Sequence, residues 1–148
     1  MLGARVHAYL RSSAATRAHR VEPFVIRFDE HDEAPWFDHA IPDDDVVPTA
    51  DEVAAPVAAF RGRARTPRLE YVPQAAATLE KVLLAAGFTA EGRFPLLVCP
   101  PDEVVDAPLD PSVRVALVTG DQDLWQVARV HARVGYRKAG EALYISLR

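Results

Sequence analysis

Two stretches of this 148-residue chain hold residue types that could do chemistry. The first contains His31, Asp32, Glu33, Asp38 and His39, imidazole and carboxylate donors of the kind that hold a divalent cation. No two of them stand at a tight helical or hairpin spacing that would preorganise a site, so the segment reads as an acidic, solvated loop and no metal site is assigned. The second is Arg137-Lys138-Ala139-Gly140-Glu141-Ala142, which has the R-x-x-G-x-A pattern of a pyrophosphate-binding loop. Such a loop works because the free N–H groups and the dipole at a helix start attract phosphate. Here the glycine follows a helical pattern and precedes a strand-like one, with too little chain beyond Gly140 for the required helix. The segment is expected to be a turn.

An internal echo supports that expectation. "LLAAGFTAEGRFPLLV" set against "HARVGYRKAGEALYIS" aligns Gly87 with Gly135, Phe88 with Tyr136 and Gly92 with Gly140. Each copy reads as helix, glycine stop, aromatic plug, short spacer, glycine turn and apolar strand, a single supersecondary unit used twice.

Other reactive residues lack partners of the right kind. Ser12 and Ser13 lie in a polar stretch without a glycine elbow, and Cys99 sits in the apolar run "FPLLVCPP" and is expected in the core. No Ser-His-Asp or Cys-His arrangement can be built from them. Trp36 and Phe37, beside the acidic loop, could form an exposed recognition edge or a plug anchoring the loop to the core; the plug is the expectation.

Composition narrows the class further. Half the chain is apolar, enough for one sizeable core, and a single cysteine rules out an internal disulfide and multi-cysteine zinc clusters. No apolar run is long enough for a membrane helix, and the first residues are interrupted by Arg5 and His7, so the chain is expected to be soluble and cytoplasmic, without a membrane partner. A net charge of -4 argues against nucleic acid as a partner. Charge is uneven, however: ten carboxylates and no Lys or Arg lie between Asp29 and Glu52, while Arg5, Arg11, Arg17 and Arg20 precede them and Arg61, Arg63, Arg65 and Arg68 follow. These are expected to be solvated faces that partly pair with each other.

The elements that must position these residues follow from periodicity and punctuation. "ARVHAYLRSSAATRAHR" reads as a helix, and "PFVIRF" and "FDHAIP" as strands. Thr49 and Glu52 form a capping box opening a helix in which Pro56 is expected to cause a kink or restart, with Val53, Val57 and Phe60 on one face. "PRLEYVP" reads as a short strand, "QAAATLEKVLLAAGF" as a long helix closed by Gly87, and "RFPLLVC" as a strand buried on both faces. After a proline-rich acidic connector come a strand "VRVALVTG", a helix capped near Asp121 and a last strand "EALYISLR". Alternating strands and helices imply an α/β (α+β layered) fold, with a mixed sheet of five or six strands.

The run from "AIPDDDVVPTADEV" through "PRLEYVP" and "LLAAGF" to "PLLVC" resembles the N-terminal half of bacterial two-domain GNAT-type N-acetyltransferases, over residues 20–110. "VRVALVTGDQDL" and "VGYRKAGEALYISLR" are similar to the first and last pieces of the family's catalytic domain. The resemblance implies a GNAT-like half domain at 1–110 and, at 111–148, a strand-helix-strand remnant packed on the same core. Central catalytic strands and the pyrophosphate helix, on the order of a hundred residues, are missing by comparison. The tyrosine that serves the family as general acid is matched here by His131, which can donate a proton but is expected to be a packed or surface residue. The family uses acetyl-CoA. In this chain the only candidate helix starts, near Thr49 and Asp121, are occupied by capping side chains, so no acetyl-CoA is expected to bind. Two readings stand. One is an acetyltransferase relative, truncated and catalytically impaired; the other is a non-catalytic protein-binding or dimerisation module, with a homo-oligomer or a protein partner covering the helix of Trp125, Val130 and Val134. No catalytic or cofactor-binding residue is assigned.

Overall fold

Period-two alternation of apolar residues in short strands builds the centre of the molecule. The computed structural model describes residues 2–14, 18–31, 34, 36–103 and 136–148. Within them lie α1 (Leu2–Ala14), β1 (Ala18–Val21), β2 (Phe24–Arg27), β3 (His39–Pro42), α2 (Ala50–Arg61), β4 (Arg68–Tyr71), α3 (Leu79–Ala85), β5 (Thr89–Val98) and β6 (Arg137–Ser146). The strands form a six-stranded sheet in the order β1-β2-β3-β4-β6-β5. β1, β2 and β3 are antiparallel neighbours, as are β4 and β6, whereas β3 and β4 run parallel with α2 as their crossover. This is the mixed α/β sheet expected.

Register decides which side chains meet. Leu69 lies opposite Ile145 and Tyr71 opposite Leu143, while Arg68 faces Ser146 and Glu70 faces Tyr144. One sheet face therefore carries Phe24, Ile26, Ala40, Leu69, Tyr71, Leu143 and Ile145, and it is covered by Val53 and Phe60 of α2 and Leu79 and Leu83 of α3. Each large side chain sealed there contributes about 1.5–3 kcal/mol relative to exposure. Tyr71 brings its hydroxyl into this core without a hydrogen-bond partner among the described residues, and burial pushes its pKa up.

Local chemistry sets the helix ends. Thr49 and Glu52 make the capping box, with Thr49 Oγ accepting from the Glu52 N–H at 3.3 Å and Glu52 Oε2 accepting from the Thr49 N–H at 2.7 Å. α2 then runs unbroken through Pro56 instead of restarting. The proline ring is buried with Val53 and Phe60, so core contact offsets the lost hydrogen bond. Gly87 stops the α3 segment at φ +91, in the left-handed region.

Several expectations shift. The first helix ends at Ala14, and Ala18–Val21 is strand, paired to β2 through a turn with a cis Glu22-Pro23 bond. The long helix is shortened to Leu79–Ala85 because Pro73 opens a 3-10 turn over Pro73–Ala75 and Ala76 leaves helical geometry at φ -147. β5, expected to be buried on both faces, is largely exposed, and among the described strands it stands last in the sheet order. Arg137–Ala142 is no turn: it lies within β6, as Gly92 lies within β5, so the echoed glycines mark extended backbone. Gly135 and the elements expected across 111–135, with Asp121, Trp125, Val130, His131 and Val134, lie outside the described residues.

Residues 1–95 and 140–148 make one compact unit, and 96–139 a second. Of the second, the described part comprises the end of β5, a 3-10 turn at Pro101–Glu103 with half-buried Cys99 before it, and the start of β6. Cys99 is thus not sealed in a core. The expected boundary at residue 110 falls outside the described residues.

Gly87→Ala tests the helix stop. A methyl group there would meet Leu147 Cδ1 at 3.5 Å, an ordinary contact, so the cost is in the backbone. The variant is expected to lose about 1 kcal/mol, read as a lower urea midpoint with an unchanged slope.

Candidate functional site

The parallel pair β3 and β4 share a single partner pair, Ala40 with Leu69, where each antiparallel pair with a determined register shares four. α2 begins after the connection leaving β3. A helix start is a natural anion site. Here that start is capped and flanked by carboxylates. The capping box consumes the Thr49 and Glu52 N–H groups, Asp51 and Glu52 occupy the first turn, and Asp43, Asp44 and Asp45 precede it.

Those aspartates are held from the other side. Asp44 receives Arg11 in bidentate fashion, at 2.8 and 2.9 Å, and stands 2.6 Å from Nδ1 of fully buried His7. Arg11 also donates to the Pro42 carbonyl at 3.3 Å. Arg20 bridges Glu22 and Asp43. The Arg11 hydrogen bonds hold the Asp44 carboxyl far below its usual range, whereas burial lowers the His7 pKa and outweighs the neighbouring carboxylate. The expected pairing between the early arginines and the acidic segment is therefore present. A pyrophosphate placed here would find the Thr49 and Glu52 N–H groups already taken by the capping box and would meet the carboxylates of Asp43, Asp44, Asp45 and Asp51.

The opposite sheet face carries a second arrangement. Arg68, Glu70, Tyr144 and Ser146 point away from the core because they alternate with Leu69, Tyr71, Leu143 and Ile145. Arg68, nearly buried, donates from Nε to Glu91 at 2.8 Å, and its guanidinium lies 4.8 Å from the Tyr144 ring and 5.6 Å from that of Trp36. Cation and ring faces attract at such distances. The Tyr144 hydroxyl donates to Glu70 Oε1 at 2.8 Å, and Glu70 Oε2 stands 4.0 Å from His39 Nε2. His39 Nδ1 is buried without a hydrogen-bond partner among the described residues.

Burial decides most of the protonation states. It lowers the His39 pKa more than Glu70 raises it, and it raises that of Tyr144, with Glu70 adding to the effect. For Glu91, burial works in the opposite direction, but hydrogen bonds from Ser146 and Arg68 prevail and its pKa falls. Around this network lies a hollow of about 420 Å³ walled by Trp36, Phe94 and Tyr144. A larger cleft of about 890 Å³ shares Trp36 and Glu91 with it and adds Arg61, Arg65, Thr66 and Arg148. The two offer fixed charges and ring faces, the equipment of a binding site.

The sequence-derived candidates are scattered by comparison. Asp32 and Glu33 lie outside the described residues. His31 is exposed, with its N–H donating to Asp29 Oδ1 at 2.9 Å. Asp38 is buried, accepting from the Asp29 N–H at 2.7 Å and facing Arg65 Nε at 3.3 Å. His39 belongs to the network on the sheet face. Among the described residues no group of three or more His, Cys, Asp or Glu could hold a metal ion. Trp36 and Phe37 do not plug the core: they are 65% and 44% exposed, and Asp38 anchors the loop instead. Ser12 and Ser13 bond back to the Tyr9 and Leu10 carbonyls of α1 at 2.9 Å. Arg68, Glu70, Glu91 and Tyr144 were missed. The signal for Arg68, Glu70 and Tyr144 was present as charged or hydroxyl groups at every second position of "PRLEY" and "ALYIS"; Glu91, in "TAEGR", had no such pattern.

With this geometry in place, the comparisons with known proteins can be read. The solved structure of a GCN5-related N-acetyltransferase from Kribbella flavida superposes with a TM-score of 0.74, over 97% of this chain and 95% of that one, at 13% sequence identity. The chain has the GNAT-type fold. The pairing runs almost end to end, so it does not reproduce the large central gap that the sequence resemblance implied. No family model matches the sequence, and no curated protein matches it. Among the described residues no helix is long and apolar enough to cross a membrane.

The buried histidines set a pH dependence. His7 and His39 have lowered pKa values in the folded state, so below about pH 6.5 the unfolded chain takes up protons that the folded chain resists. Stability is therefore full above that pH and declines as pH falls through the folded-state values. Urea midpoints measured from pH 7.5 to 5 are expected to fall, and a His7→Gln, His39→Gln double variant is expected to show a flatter profile.

Proposed function

We propose that this chain is a GNAT-fold relative of N-acetyltransferases whose described part does not serve as an acetyl-CoA site and acts instead as a binding module. The observation that carries the reading is the start of α2. It follows the connection leaving β3, yet it is capped by Thr49 and Glu52 and fronted by aspartates already paired with Arg11 and Arg20. An anion-binding terminus needs free N–H groups and no competing negative charge. The catalytic impairment expected from the sequence follows from the same point, because acetyl transfer from a thioester requires that cofactor to be seated. The general-acid candidate, His131, has no part in this reading.

The acetyltransferase reading draws on the kind of protein whose structure superposes, a GCN5-related N-acetyltransferase. Calorimetry with acetyl-CoA separates the two. Binding weaker than about 1 mM is the expected outcome, and a micromolar dissociation constant would restore the enzyme reading.

A binding module acts through a partner, and we infer either a second copy or another protein. Light scattering is expected to give a mass above that of one chain, alone or with the partner added; a strict monomer at high concentration that captures nothing would remove the module reading's homo-oligomeric form.

A further inference from the structure

We propose that the cleft bounded by Trp36, Arg61 and Arg65 binds a small organic anion carrying a flat ring, with the ring against the Trp36 indole and the anionic group between the two guanidinium groups. The inference deepens the binding-module reading and rests on it.

Charge is the first ground. The cleft of about 890 Å³ is lined by Arg61, Arg65 and Arg148 and by one acid, Glu91, which already accepts from Arg68 at 2.8 Å. Arg61 is exposed and makes no ion pair among the described residues. Arg65 approaches Asp38 through Nε at 3.3 Å, and Asp38 Oδ2 has no hydrogen-bond partner among the described residues. A guanidinium has five donors, so Arg65 keeps donors to offer the cleft that it lines. Two such forks lining one cleft suit a carboxylate or phosphate, which accepts paired N–H bonds.

The second ground is the aromatic wall. The Trp36 side chain is 65% exposed, borders both hollows and has the Arg68 guanidinium 5.6 Å from its ring. An exposed indole beside an apolar floor that includes Pro67 and Leu147 offers a stacking surface that water satisfies poorly. Neither a bare anion nor an uncharged ring uses both features. A cleft of this volume is in the range of small-molecule sites.

The test is NMR titration of the full chain, following the Trp36 indole N–H, assigned with Trp36→Phe. Two probes, 4-hydroxybenzoate and phenyl phosphate, distinguish a carboxylate from a phosphate source, and inorganic phosphate and benzyl alcohol supply charge without ring and ring without charge. A saturable shift with at least one ring-bearing anion is expected in the parent, and the dissociation constant of that anion, read by calorimetry, is expected to rise about tenfold in Arg61→Ala and in Trp36→Ala, as befits loss of one charged hydrogen-bonding group or the stacking face. Lys81→Ala, on α3 away from the cleft, should leave it unchanged. Both substituted cleft residues are exposed, so folding is not at stake. No shift with either ring-bearing anion, equal binding of inorganic phosphate, or an Arg61→Ala variant that binds as well as the parent would overturn the proposal. Acetyl-CoA carries a ring and phosphates of its own, so its calorimetry is repeated on Arg61→Ala: heat that persists in that variant reports on the α2 start, heat that is lost reports on this cleft, and the two ideas can fail separately.

Discussion

The register between β4 and β6 is the constraint on which the rest of this molecule depends. By setting Leu69 against Ile145 and Glu70 against Tyr144, it sends one set of side chains into the core and the alternate set to the opposite face. A slip of one residue would exchange them, placing Arg68 and Glu70 among Phe60, Leu79 and Leu83. Core and cleft are thus two sides of one pairing. The charged network cannot be moved without moving the apolar one, and the hydrophobic term, being the larger, holds the polar residues in position.

Electrostatics shapes the other end of the sheet. An acidic connection ahead of a helix start would repel itself if left unpaired, and α1 relieves this by bringing Arg11 and buried His7 onto Asp44 while Arg20 takes Asp43. The same pairing fills the place where the fold would hold an anion. Superposition on a GCN5-related N-acetyltransferase gives the scaffold, but identity at 13% says nothing about what that scaffold holds. The contents of the site are read from Thr49, Glu52 and the aspartates.

Much of the fold was legible. The capping box, the Gly87 stop, the short strands "FVIR", "HAIP" and "RLEY" and the pairing of early arginines with the acidic segment follow from local rules that tertiary packing did not override. Reading failed where neighbours decide. The apolar content of β5 suggested burial, yet most of its residues are exposed, and among the described strands only β6 pairs with it. The helical pattern of Gln74–Thr78 yielded to the 3-10 turn opened by Pro73, and the glycines at 92 and 140 serve strands because extended backbone also accepts glycine.

The sequence by itself determined the class of fold, the capped start of α2 and the excess of charge on either side of it, because capping, periodicity and charge act over a few residues. Only the tertiary structure decided that Arg68, Glu91, Tyr144 and Trp36 share a hollow, that His39 stands beside Glu70, and that Arg61 and Arg65 line one cleft with Trp36. These groups come from two loops, a helix end and four strands. Their meeting depends on strand order and register, which no local spacing in the chain encodes.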